Sequence, residues 1–246
     1  MTAPEVAPRD AQAPGREAGW PRRLVVFIGT VLVIIAVAVL PLLTPLFIHP
    51  ALDAAGAAGR VGLDTTLAHE MSDRSVQDLV LWSGDFAFEG PDGSAFYDAD
   101  ERGHLRDARI LLWLFLGAGA ISAIVIGITL RRSDGPGRAT AWRVISRAGA
   151  ATAIVVVVLG VISAVAFGTL FTLFHQIFFP AGNWSFDPAT QRLVQLYPFR
   201  FWQIAAAALG LMVAILGIAA WLLGRSMSRS RSPDPRAGQT PGSGHG

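Results

Sequence analysis

The sequence predicts an all-α integral membrane protein, a four-helix transmembrane bundle with an outer loop subdomain between helices 1 and 2. Three observations carry that expectation. Of the 246 residues, 52% are hydrophobic and only 15% are charged, whereas a soluble domain averages about 25% charged residues. The apolar residues gather into four charge-free blocks, 24–48, 110–130, 154–174 and 204–223. The arginines, finally, are sorted by loop in the way membrane topology demands.

Each block holds 20 to 25 residues, and at 1.5 Å per residue about 20 residues cross a hydrocarbon layer roughly 30 Å thick. Residues 1–19 precede the first block and are rich in Pro, Gly and Arg with little to bury, which reads as a disordered tail. The block 24–48 follows Arg22 and Arg23. It is too long for the 7–15 residue apolar region of a secretory signal, roughly speaking, and so reads as a retained span. The outer loop 49–109 far exceeds the usual connection of about 4–6 residues, a length that signals function or disorder. Within it, Ser72 or Asp73 is a candidate cap for a helix through Val76, Leu79, Val80 and Trp82. That helix either lies on the membrane interface or packs over the bundle. Gly90, Asp92, Gly93 and Ser94 read as a turn. The second span, 110–130, carries Gly117, Gly119 and Gly127 as small residues for close helix packing. The third ends at Pro180, and an outer loop at 180–203 leads to the fourth. The membrane domain then covers 20–225, and a second Pro, Gly, Ser and Arg-rich tail covers 226–246.

The charge pattern sets an orientation. The segments 1–23, 131–153 and 224–246 hold 13 arginines against 5 acids, while the two remaining loops hold 7 against 13. The formal +2 therefore divides into +8 on one side and −6 on the other, and the positive-inside rule puts both termini in the cytoplasm. Basic residues that flank spans in this way mark topology, so nucleic acid is not an expected partner. With no cysteine, thiol nucleophiles, disulfides and thiolate metal sites are excluded, and with no lysine there is no lysine base.

Chemistry must then come from histidine and carboxylates. His245 lies in the tail, His49 reads as an interfacial residue, and His69 as a local cap or partner. His104 sits six residues before the second block, about 9 Å outside it if the helix starts there. Asp107 then shares its face at i, i+3, where a carboxylate orients an imidazole as in a catalytic dyad. His175 closes the third span among Phe171, Phe174, Phe178 and Phe179, and Asn183, Trp184 and Asp187 follow as candidate polar lining. Two histidines from different helices thus reach the same depth on the same side. They are either interfacial anchors or one site, and one site requires their rings within about 8 Å. Two imidazoles with Asp107 or Asp187 also make a conceivable metal site, although no HExxH, nucleophile elbow or phosphate-binding loop is present.

The segments Gly103-His104-Leu105-Arg106-Asp107-Ala108-Arg109, Phe174-His175-Gln176-Ile177-Phe178-Phe179, Trp184-Ser185-Phe186-Asp187-Pro188 and Leu193…Pro198 together resemble the lipoprotein intramolecular transacylase family, over about residues 20–224. The resemblance implies a four-span enzyme of the cell membrane acting at the outer leaflet among membrane lipids. It would move an acyl chain from the sn-2 oxygen of a diacylated lipoprotein to the α-amino group of its N-terminal cysteine, leaving a lyso-form. The resemblance also implies His104 and His175 as catalytic residues, either of them the base, without metal or organic cofactor. Asp107, Arg109, Asn183, Trp184 and Asp187 are supporting candidates. Two other readings stand beside it: a lipid hydrolase or transacylase acting on another outer-leaflet ester, and a non-enzymatic four-span accessory or scaffold.

Overall fold

The computed structural model describes residues 19–180 and 182–229. The predicted tails, apart from Gly19 and residues 226–229, lie outside the described residues. Four helices are long and apolar enough to cross a membrane, and the protein is a multi-pass membrane protein.

Helix α1 covers Trp20–Val39 and passes into a 3-10 turn at Leu40–Leu43. Pro41 cannot donate to the helix ladder, and Thr44, in extended conformation, ends it before Pro45 opens a new helix. The first span is therefore shorter than the apolar block 24–48, because Phe47 and Ile48 belong to α2, Pro45–Ala55. Gly56 and Gly62 take left-handed backbone (φ 66° and 73°), where other residues are strained, and bracket the short α3, Ala57–Val61.

Helix α4, Thr65–Leu81, is capped by Asp64, whose carboxylate accepts from the Leu67 amide at 2.9 Å. The expected cap at Ser72 or Asp73 is thus wrong by about two turns. Ser72 is instead buried within the helix, facing the core with Ala68, Met71, Ser75 and Asp78. Through that face the helix packs into a core at one end of the bundle. The turn at 90–94 forms as expected, with Gly90 N–H donating to Ser94 O at 2.8 Å.

Helix α5 covers Ala99–Arg132, α6 Gly135–Phe178, α7 Arg192–Leu196 and α8 Phe199–Arg229. α5, α6 and α8 all outrun their apolar blocks, α8 continuing past residue 225 to Arg229. α6 bends at Ala166, whose backbone is non-helical (φ −132°, ψ 32°).

Small residues let the spans approach. A Cβ at Gly149 of α6 would lie 2.5 Å from the Gly217 carbonyl of α8, and one at Gly224 only 2.6 Å from the Trp142 carbonyl. Without a hydrophobic drive between helices in lipid, such backbone approach is a main source of association. In α5, Gly119 meets Ala36 of α1, but Gly117 and Gly127 face open space, so only one of the three expected packing glycines packs.

At one end of the bundle, α2 to α4 and the segments 86–97 and 193–201 share a core of Leu52, Met71, Phe86, Phe96, Tyr97, Leu196 and Tyr197 among others. The chain's two tyrosines are its polar ties. Tyr97 Oη pairs with Ser75 Oγ at 2.8 Å and Tyr197 Oη with Ser72 Oγ at 2.9 Å. Burial raises both phenols, Tyr197 to about 12, so they remain neutral. This cap fixes the start of α5 through a capping box. Asp98 Oδ1 accepts from the Asp100 and Glu101 amides, while Glu101 Oε2 accepts from the Asp98 amide at 2.7 Å. Burial opposes the Asp98 carboxylate, but its backbone donors and the Gln191 amide outweigh that and hold its pKa below the ordinary value. Glu101, 1% exposed, also accepts from the Leu193 amide at 2.6 Å, and Gln191 Nε2 donates to Asp98 Oδ2 at 2.9 Å.

Three outcomes follow for stability in detergent. Gly149→Ala forces α6 and α8 apart, an overpacking cost of about 1–3 kcal/mol, and lowers the melting temperature by several degrees. Gly127→Ala meets open space and keeps or raises it. Glu101→Ala strands two amide donors, each costing about 1–3 kcal/mol if it stays buried. Thermal unfolding monitored by light scattering checks all three.

Candidate active site

α5 and α6 bring the two predicted histidines together. His104 lies on the second turn of α5, in the register set by the Asp98–Glu101 capping box. His175 lies in the last turn of α6, which ends where Pro180 follows and the Phe179 amide closes back on the His175 carbonyl at 2.7 Å. Their ring centroids are 5.8 Å apart with planes 23° from parallel, inside the limit expected of one site.

Aromatic rings enclose the pair. Phe179 stands 4.5 Å and Phe186 5.5 Å from the His104 ring, while Phe171 at 4.2 Å, Trp184 at 5.1 Å and Phe174 at 5.3 Å surround His175. His175 is 8% exposed.

One hydrogen bond gives the pair a direction. His175 Nδ1 lies 2.7 Å from the Phe171 carbonyl, and a carbonyl can only accept. The proton therefore sits on Nδ1, and in the neutral ring Nε2 carries the lone pair. His104 Nδ1 is buried with no hydrogen-bond partner.

The supporting candidates divide. Trp184 lies tilted beside His175, and Asn183 Nδ2 donates to Asp107 Oδ2 at 2.8 Å. The expected His104–Asp107 dyad is not made: Asp107 shares the helix face but bonds across to the 183 loop, and no hydrogen bond joins it to His104. Arg109 turns elsewhere. Its guanidinium donates to Gly84 O at 2.8 Å, lies 3.6 Å from Asp85 and stacks 4.2 Å over Trp82, fastening the 78–86 segment to α5. Five residues past His104, it lies on another face of the helix. Asp187 accepts from the Ala189 amide and from Thr190, closing its own turn. With Asp107 and Asp187 so engaged, the donor set of a two-histidine metal site is not assembled, and among the described residues no group of three or more His, Cys, Asp or Glu is placed to hold a metal.

The sequence reading missed three contributors: Glu101, whose Asp-x-x-Glu spacing from Asp98 is a recognisable capping signal, Phe186 as a wall of His104, and the Phe171 carbonyl. It also missed a crossed pair in the cap. His49 Nε2 donates to Asp73 at 2.8 Å and His69 Nε2 to Asp53 at 2.9 Å, their rings stacked at 4.0 Å. This pair joins α2 to α4, a structural tie in place of the interfacial role expected of His49.

Comparison with known proteins bears on this geometry. The fold is similar to the in meso structure of the membrane integral lipoprotein intramolecular transacylase Lit from Bacillus cereus, with a TM-score of 0.71 and 18% identity over 85% of this chain and 95% of that one. Two histidine-substituted forms of the same Bacillus cereus protein match at TM-scores of 0.67 and 0.65, each 19% identical over 85% of this chain and covering 92% and 93% of theirs. A comparison with curated proteins finds no match. The model of the family described as lipoprotein intramolecular transacylase Lit matches residues 24–202. Over nearly three quarters of its length, then, this four-span chain with its paired histidines carries that family's pattern, and it belongs to the lipoprotein intramolecular transacylase family.

Proposed function

We propose that the protein transfers the sn-2 acyl chain of a diacylglyceryl-modified lipoprotein to the α-amino group of its N-terminal cysteine, with His175 as the acid/base and His104 as its partner. The observation that carries this is the stacked pair itself, one ring of which has its proton tied to the Phe171 carbonyl. The cap end of the bundle faces out of the cell and the termini face the cytoplasm, a placement supported by the 13 arginines against 5 acids in segments 1–23, 131–153 and 224–246.

The reaction balances with these groups alone. An α-amine has a reference pKa of about 7.7–8.0 and arrives mostly protonated. That extra proton is first lost to water; as the neutral nitrogen attacks the sn-2 ester carbon, His175 Nε2 takes one of its two remaining protons. His104 supplies an N–H to the oxygen that becomes the tetrahedral oxyanion. As the C–O bond to glycerol breaks, His175 returns the proton to the departing oxygen, so that an amide and a free glyceryl hydroxyl result. Amine and ester belong to one molecule. Folding it into an attack geometry is worth about 7–11 kcal/mol, and the ring of phenylalanines and Trp184 around the histidines is suited to holding that shape without water.

Mass spectrometry of the N-terminal peptide of a co-expressed lipoprotein tests this. His175→Ala is expected to cut the N-acylated lyso product by about 10²–10⁴-fold, as loss of an acid/base group does, and His104→Ala by about 10²–10³-fold, as loss of an oxyanion donor does. Wild-type product levels from both variants would refute the assignment.

A further inference from the structure

Asn183 and Asp107 have no part in that proton transfer, yet the structure builds them tightly into the site. Asn183 precedes Trp184, which covers His175, and its Nδ2 is 4.0 Å from the position a side chain would take at Gly103, next to His104. It therefore stands against the stretch of α5 that carries His104 and next to the residue that covers His175. Its amide has one orientation, because Asp107 Oδ2 can only accept, and the NH2 side at 2.8 Å must face it. The other side of the amide, Oδ1, is buried and has no hydrogen-bond partner, as is also true of His104 Nδ1. A buried carbonyl oxygen without a donor is uncommon, and each such group calls for a cause.

The chemistry of the substrate supplies one. Around the scissile bond, the ester oxygens and the thioether sulfur carry no hydrogen, so the group there that brings donors is the α-amine, with up to three N–H bonds and a positive charge. We propose that Asn183 Oδ1 is the docking acceptor for the α-amino group of the N-terminal cysteine, and that Asp107 is a positioning residue that fixes the amide and adds its negative charge beside the ammonium. This rests on the transacylase reading above and deepens it. It assigns the choice of nucleophile: the amine is held at the ester carbon and water is not. It also accounts for a carboxylate one turn from His104 that makes no bond to it. An N-acylated lipoprotein keeps one N–H, loses the charge, and fits this subsite poorly.

Full-length protein in detergent, given a synthetic diacylated lipopeptide with a free N-terminus, provides the test. Two products are counted: the N-acyl lyso lipopeptide, and free fatty acid with lyso lipopeptide, which arise when water attacks the same carbon in place of the amine. Asn183→Ala is expected to lower N-acyl product by about ten- to a hundredfold, the usual effect of losing a hydrogen bond to a charged group, while the fatty acid fraction rises. Asn183→Leu is expected to do the same. Asp107→Ala, which leaves the Asn183 amide unguided, is expected to produce a smaller shift in the same direction. A second reading uses a lipopeptide with an ether at sn-2 as a competitive inhibitor. Wild type is expected to prefer the free-amine form over its N-acetylated form by tenfold or more, a preference that Asn183→Ala removes. An unchanged product ratio and unchanged inhibitor preference in Asn183→Ala would overturn the amine subsite and leave the role of the histidines intact. Equal loss of both products with the inhibitor preference retained would also overturn it, since that pattern is a purely structural defect. Absence of N-acyl product from the wild type would overturn the transacylase reading and the subsite together.

Discussion

The buried Glu101 carboxylate is the interaction on which the site depends. Its two oxygens accept from the first turn of its own helix and from the Leu193 amide, 92 residues away in sequence. One group thereby sets where α5 begins and where the segment after α6 returns to it. Since His104 follows Glu101 by three residues and the Asn183–Phe186 segment runs into Gln191 and Leu193, the register of both walls is fixed at that point. Burial, and after it the nearby Asp98 charge, push the Glu101 pKa above the ordinary value, and the Leu193 and Asp98 amide donors, with Arg192, offset part of that cost. Asp98 serves the same junction from outside, accepting from Gln191.

The membrane imposes the complementary constraint. A helix end in hydrocarbon would expose unpaired carbonyls, so the histidine of α6 has to sit where the helix can stop. The last turn ends at Phe178, the Phe179 amide closes on His175 O, and the imidazole reaches back one turn to the Phe171 carbonyl. One residue thus serves both ends: its carbonyl takes the bond that closes the helix, and its ring makes the bond that chooses the tautomer. Below this, Gly149, Gly217 and Gly224 hold α6 against α8 at backbone contact, giving the histidine a fixed base although nearly everything around it is apolar.

Much of this was legible in the residues. Four charge-free blocks predict four spans because the length and polarity rules of a bilayer are strict, and counting from the blocks places His104 and His175 at one depth. Helix ends were less legible, because hydropathy does not see caps. Pro41 and Thr44 end the first helix inside an apolar run, and Asp64 starts α4 two turns before Ser72. The partner of Asp107 was not legible at all, since i, i+3 spacing names His104 but the fold delivers Asn183. Arg109 was misread for a similar reason: a buried arginine near a histidine in sequence faces the 78–86 turn in space. Glycines at 210, 217 and 224 recur every seven residues, a spacing from which the α6–α8 contact could have been inferred.

The account turns on an unprotonated His175 Nε2 held ready by a proton on Nδ1. Nitrogen-15 NMR of histidine-labelled protein in micelles at neutral pH, with His175→Asn to assign the resonance, reads that directly. The account predicts a neutral His175 ring with its proton on Nδ1 and an imine-type shift at Nε2. A ring protonated on Nε2, with Nδ1 bare, would contradict it.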